Sequence, residues 1–206
     1  MTDHLPANDP RFESILLSAE QIAARIREIA ATIAADYADT RSLHLLGVLK
    51  GACIFLADLG REIRRADGPS IQYEFIRAST YAGGIKEKHE TSRPVAIASM
   101  PESLRGQDVL IVEDILDQGF TLHEIRRTLL DEMGARSVRI CVLLNKQLDT
   151  PTPEVADLRE RLVPDYVGFD VPDRWVAGYG LDIEEEFRDL PYVAIVREEQ
   201  FQHVSV

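Results

Sequence analysis

Val109-Leu110-Ile111-Val112-Glu113-Asp114-Ile115-Leu116-Asp117-Gln118-Gly119-Phe120-Thr121-Leu122 is the stretch that decides how this chain is read. Four aliphatic residues run into two adjacent carboxylates, and Asp117 follows three positions after Asp114. An uninterrupted apolar run reads as a strand covered on both faces, as in a parallel sheet. From Leu122 the apolar residues recur at Ile125, Leu129 and Met133, one face of a helix, and Gly134 supplies its stop. The acids therefore stand at the C-terminal end of a central strand, and the turn after them opens a helix. In an open α/β sheet that crevice is where ligands bind.

The turn has its own chemistry. Backbone N–H groups of residues 118–121 have no partner within the first helical turn, Gly119 permits a tight conformation, and Thr121 adds a hydroxyl. Together they form an anion cradle suited to a phosphate monoester. Three carboxylates beside such a cradle fit a ligand that carries hydroxyls and a divalent cation. Glu113 and Asp114 could grip a ribose diol, and Asp117 could act as a base. The same string also fits a solvent-facing strand end followed by an ordinary helix cap, and taken alone it leaves both readings open.

Working outward, 206 residues with 45% apolar content bury one substantial core, which predicts a single domain with an appendage. The net charge of −12 argues against a nucleic-acid surface, and it means that a polyanionic substrate needs Mg²⁺ and a few placed cations. Apolar runs are strand-sized, and residues 1–18 lack a signal-peptide layout, so no membrane or targeting segment is expected. Cys53 and Cys141 lie in apolar segments without metal-ligand spacing, which predicts reduced, buried thiols and a cytoplasmic chain. The five histidines are scattered and receive no role.

Along the chain, residues 1–17 read as a loose or strand-like arm. Ser18 with Gln21 is a capping-box signal, and Ile22, Ile26, Ile29, Ala30 and Ile33 mark one face of a helix to about Tyr37. Ser42 to Leu49 is a buried strand; Phe55, Leu56, Leu59 and Ile63 face inward from the next helix. Between them Lys50-Gly51 is either a second phosphate-friendly turn or a surface lysine beside a turn glycine. Ile71 to Ala78 is a third strand, followed by a polar, Gly-bearing loop, either decoration or a working lid. Pro94 to Ser99 returns as a short strand. Ser137 to Asn145 is another buried strand, ending at Lys146. Residues 147–163 read as a polar connection with a short helix near Val155 to Leu162 and no function. Tyr192 to Val196 closes the sheet.

The Glu113 to Thr121 string resembles the phosphoribosyl-pyrophosphate (PRPP) motif of type I phosphoribosyltransferases: an apolar run, Glu-Asp, two residues, Asp-Thr-Gly and Thr. More narrowly, the chain is similar to the hypoxanthine-guanine phosphoribosyltransferases over roughly residues 12–197. Leu49-Lys50-Gly51-Ala52 matches that family's Leu-Lys-Gly-Gly-like loop, Thr80-Tyr81 its Ser-Tyr lid pair, and Leu143-Leu144-Asn145-Lys146 the strand end with its base-binding lysine. Pro164 to Asp182 matches the hood segment, and Phe187-Arg188-Asp189-Leu190 follows it. Two positions depart: Gln118 replaces the usual Thr or Ser, and Phe120 stands at a variable, often basic or aliphatic, site.

The resemblance implies an α/β fold, a mostly parallel twisted sheet flanked by helices, with a core of about residues 38–165. A small hood would come from the N-terminal arm and about 166–206, and a lid from about 79–93 carrying Thr80 and Tyr81. It implies transfer of 5-phosphoribose from PRPP to N9 of hypoxanthine or guanine. Asp117 would manage the purine proton, and residues 117–121 (Asp117, Gln118, Gly119, Phe120, Thr121) would hold the 5′-phosphate beside Glu113 and Asp114. Lys50, Gly51 and Arg188 would hold pyrophosphate, through a cis peptide at Leu49–Lys50. Lys146, Trp175, Val176 and Asp182 would hold the purine, and Mg²⁺ would sit near Glu113, Asp114 and Asp182. A homodimer or homotetramer, with no nucleic-acid or membrane partner, completes the expectation. Two alternatives stand beside it: a preference for xanthine or another base, and a non-catalytic PRPP-binding nucleic-acid regulator.

Overall fold

The computed structural model describes residues 9–80, 95–97 and 100–197. Within them the chain runs β1 (Phe12–Leu17), α1 (Ala19–Asp36), β2 (Ser42–Leu49), α2 (Cys53–Arg65), β3 (Ser70–Thr80) and β4 (Val95–Ile97). It continues with β5 (Asp108–Leu116), α3 (Phe120–Arg127), β6 (Ser137–Gln147), α4 (Pro153–Arg161), β7 (Tyr166–Pro172), β8 (Val176–Ala177) and β9 (Val193–Val196). Six strands form one sheet in the order β4-β3-β2-β5-β6-β7. All neighbours in it are parallel except β4, which runs antiparallel to β3.

The apolar run of β5 is central because both of its faces are covered. Leu110 and Val112 face the cluster built with Ile26, Ile33, Phe55 and Leu59 of α1 and α2. Val109 and Ile111 alternate to the other side, against Leu122 and Ile125 of α3, Leu129 and Leu162. Full burial of each such side chain contributes about 1.5–3 kcal/mol. The capping box of α1 is formed: Gln21 N donates to Ser18 Oγ at 3.2 Å, and Ser18 N donates to Gln21 Oε1 at 2.8 Å. Beyond α3 a π turn (Thr128–Glu132) keeps Leu129 buried, and Gly134 takes φ +67° where the stop was expected.

Three expectations change. Tyr192 to Val196 does not close the main sheet: β9 lies between β1 and β8 in a separate three-stranded antiparallel sheet, the hood. Residues 166–172 pair with β6 as the edge of the main sheet, so the hood drawn from residue 166 begins after Pro172. Cys141 is buried, but Cys53 is exposed: the helical period that turns Phe55, Leu56 and Leu59 inward turns the first residue of α2 outward. Thr80 ends β3 opposite Val95, while Tyr81 and the rest of the expected lid to Arg93 lie outside the described residues. No helix among the described residues is long and apolar enough to cross a membrane.

Candidate active site

Parallel pairing brings the C-terminal ends of β2, β5 and β6 to one edge of the sheet, and the hood stands beside that edge. The peptide Leu49–Lys50 after β2 is cis. Gly51 follows and presses against β5 so closely that a Cβ there would lie 1.6 Å from Asp114 Oδ2. From the hood, Gly180 (φ +104°) approaches the same loop, and its Cβ would lie 2.0 Å from Gly51 O. Any side chain at either glycine displaces the acid or the loop.

A cleft of about 370 Å³ opens above these contacts. Its lining brings together Lys50, Gly51, Glu113, Asp114, Asp117, Gln118, Gly119, Phe120, Thr121, Asp182 and Arg188. Glu113 and Asp114 are buried, and Asp114 Oδ1 accepts from Ile115 N at 2.7 Å. Gly119 is the N-cap of α3 at φ +95°, and no side chain caps this helix. The opening N–H groups of α3 thus face the cleft, at the positive end of the helix dipole.

The cations of the cleft are held by hood acids. Lys50 Nζ pairs with Glu185, and Arg188 Nη2 meets Asp182 Oδ1 at 2.8 Å and Glu185 Oε1 at 3.1 Å. Arg188 Nη1 also donates to Gly180 O at 2.8 Å, and Glu185 N donates to Asp182 Oδ2 at 2.9 Å. The Lys50 and Arg188 hydrogen bonds hold the Glu185 carboxyl below its ordinary range.

Beside this lobe lies a second group of residues. Lys146 at the end of β6 is buried to 8% exposure, with Nζ 3.8 Å from Asp117 Oδ1 and 3.7 Å from Asp173 Oδ1. The same ammonium stands 5.5 Å from the ring centroid of Trp175, within cation–π range. β8 is an edge of the hood sheet. Val196 N donates to Trp175 O at 2.8 Å, so the antiparallel alternation turns the backbone groups of Val176 toward the free edge. Lys146, Trp175 and Val176 do not line the 370 Å³ cleft. Asp117 connects the two groups.

Sequence reading missed Asp173, Glu185 and Arg159. The last lies on α4, in the stretch read as a plain connection. Arg159 Nη1 donates to Leu116 O at 3.0 Å and to Asp117 O; Nη2 donates to Asn145 Oδ1 at 2.5 Å and Lys146 O at 3.1 Å. Burial pushes its guanidinium below the ordinary arginine range, opposed by Asp117 and Asp170. Two local signals were available: Thr152-Pro153 as a helix start, and Val155, Leu158 and Leu162 as an inner face beside which residue 159 falls.

A parallel sheet with an acid pair and a Gly-opened helix at its C-terminal edge, under a separate hood, defines a class, and residues 14–184 match the phosphoribosyl transferase domain. The hypoxanthine-guanine phosphoribosyltransferase of Bacillus subtilis (strain 168) is 36% identical over 186 residues, covering 90% of this chain and 94% of that protein. The hypoxanthine phosphoribosyltransferase of Escherichia coli (strain K12) is 38% identical over 185 residues, 88% of this chain and 94% of that one. A solved structure of the Trypanosoma cruzi hypoxanthine phosphoribosyl transferase superposes with a TM-score of 0.78 at 32% identity, covering 96% of this chain and 97% of that chain. This chain belongs to the hypoxanthine-guanine phosphoribosyltransferase family.

Proposed function

We propose that the chain transfers the 5-phosphoribosyl group of PRPP to N9 of hypoxanthine or guanine, giving IMP or GMP and pyrophosphate, a purine-salvage reaction. One observation carries this reading: Asp117 belongs to both groups, lining the anion cleft and standing 3.8 Å from the buried Lys146 beside Trp175. A phosphorylated sugar in the cleft and a flat heterocycle beside Trp175 would meet at Asp117.

Each group has a task that its chemistry suits. The N–H groups of residues 117–121, with the Thr121 hydroxyl and the Gln118 amide, hold the 5′-phosphate. Glu113 and Asp114 accept from the ribose hydroxyls. Lys50, the backbone at Gly51, and Arg188 hold pyrophosphate, the last through a planar fork that suits phosphate oxygens. Lys146 donates to the 6-oxo oxygen, Trp175 stacks on the ring, and the free backbone edge at Val176 reads the base rim. Asp117 takes the proton from the purine N7 as the N9–ribose bond forms, and Lys146 balances its charge. Thr80 and Tyr81 begin a lid that keeps water from the ribosyl cation.

The donor set fits Mg²⁺. Two buried carboxylates and Asp182 line the cleft, yet the described residues hold no cluster of three His, Cys, Asp or Glu that would cage a metal alone. A cation that keeps its waters and takes most ligands from substrate oxygens matches that arrangement. Glu113, Asp114 and Asp182 would hold it directly or through water, and its positive charge would offset the negative charge of the leaving pyrophosphate. A cytoplasmic homodimer or homotetramer is part of the same proposal.

Pyrophosphate release from PRPP tests this reading. Release is expected only when hypoxanthine or guanine is present, and EDTA should abolish it. Base-independent release, or full activity in excess EDTA, would contradict it. The ion pairs make a second expectation. Glu185 occupies both pyrophosphate cations, so Glu185→Gln should lower KM for PRPP by about two- to fivefold at low salt, an effect that fades as salt screens this exposed contact. An unchanged KM at low ionic strength would show that Glu185 does not compete for the subsite.

A further inference from the structure

We propose that Arg159 is a positioning residue: its guanidinium clamps the ends of β5 and β6 together and so sets both the phosphate cradle and the Asp117–Lys146 pair. The inference rests on the reading of the cleft given above and adds to it a residue from α4.

In a trans peptide the C=O and the following N–H point in opposite directions. Arg159 Nη1 holds the carbonyls of Leu116 and Asp117. The N–H groups of Asp117 and Gln118 must then point the other way, away from α4. Held so, they add to the cradle that the start of α3 provides.

The β5–β6 register ends at Leu116 opposite Asn145, so Asp117 and Lys146 are the first residues past the pairing between these two strands, and Lys146 is paired on its other side with Val171 of β7. Nη2 of Arg159 takes over there, donating to Asn145 Oδ1 at 2.5 Å and to Lys146 O at 3.1 Å. One rigid, planar group thus spans both strand ends with four hydrogen bonds. The separation of the Asp117 carboxylate from the Lys146 ammonium follows from it. The body of α4 is wedged against the same loop: a Cβ at Gly119 would lie 3.1 Å from Leu162 Cδ2 and 3.5 Å from Arg159 Cδ.

A lysine keeps the charge but cannot reach both strand ends in one plane, so Arg159→Lys separates geometry from electrostatics. The test is steady-state kinetics in PRPP and in hypoxanthine for wild type, Arg159→Lys, Arg159→Ala and Leu158→Ala. Leu158→Ala loosens the buried side of α4 and leaves the guanidinium in place. A misplaced site costs on the order of 10²-fold, and that loss in kcat/KM for PRPP is expected of Arg159→Lys and Arg159→Ala. Added guanidinium ion should restore part of the activity of Arg159→Ala where ammonium does not, and Leu158→Ala should keep wild-type kinetics while melting earlier. Should Arg159→Ala fail to fold, Arg159→Lys against Leu158→Ala decides the matter alone. Arg159→Lys with wild-type constants, or losses no larger than those of Leu158→Ala at equal melting temperature, would overturn the role of Arg159 and leave the functional reading intact. An inert wild type would overturn both.

Discussion

Asp117→Asn lowers kcat for IMP formation by about 10²- to 10⁴-fold, the range for removing a positioned proton acceptor. The replacement keeps shape and one carbonyl oxygen but can no longer take a proton. KM for PRPP changes little, because the phosphate is held by backbone groups that the substitution does not touch. Lys146 keeps Asp173 at 3.7 Å as a partner, so its ammonium is not left unbalanced when the Asp117 charge goes. The loss therefore falls on the chemical step, the mark of an interaction made in the transition state. Initial rates over a grid of PRPP and hypoxanthine concentrations check this, and a variant of full activity would remove Asp117 from the mechanism.

A methyl group at residue 51 has a comparable effect by a different route. In Gly51→Ala the new Cβ falls 1.6 Å from Asp114 Oδ2 and 2.6 Å from Asp114 Cγ, so either the carboxylate swings out of its place or the loop carrying Lys50 lifts. Both displacements separate groups assigned to the two ends of PRPP, and kcat/KM for PRPP should fall on the order of 10²-fold. Gly106→Ala is the matched control. Its Cβ meets nothing within 4 Å, and its φ of +70° costs about 1 kcal/mol of stability without reaching the cleft. Kinetics and thermal melts of the two variants separate the cases. Equal activities would mean that the contact between Gly51 and Asp114 carries no function.

The central strand was legible because its signal is local. Val109 to Val112 are apolar on both faces, and the acids that end the run have no place inside a core. Residues 113–121 line one cleft for the same reason, since a strand end, a turn and a helix start are consecutive in sequence. The hood was less legible. β8 is two residues long, and the pairing of β9 with β1 joins residues about 180 positions apart, which no window of periodicity detects. Without that pairing Tyr192 to Val196 looked like one more strand of the main sheet. Cys53 was misjudged from its apolar neighbours, although the angle of the helix decided its exposure. Arg159 was missed for a related reason: an arginine in a polar stretch reads as solvated until the fold shows which carbonyls it reaches. The meeting of Lys146 with Asp117 followed from a motif, whereas its 3.8 Å separation depends on strand ends brought together by the parallel register of β5 and β6 and spanned by Arg159.

The central claim is that this chain moves a phosphoribosyl group onto a 6-oxopurine. The most direct measurement offers PRPP and Mg²⁺ with hypoxanthine, guanine, xanthine and adenine in separate reactions, following nucleotide and pyrophosphate together. Equal amounts of IMP or GMP and pyrophosphate, with adenine inert, are the predicted result, since Lys146 can donate to a 6-oxo oxygen but not to a 6-amino group. Mg²⁺-dependent PRPP binding with no nucleotide from any base would contradict it, and would make the chain a PRPP-binding protein without transferase activity.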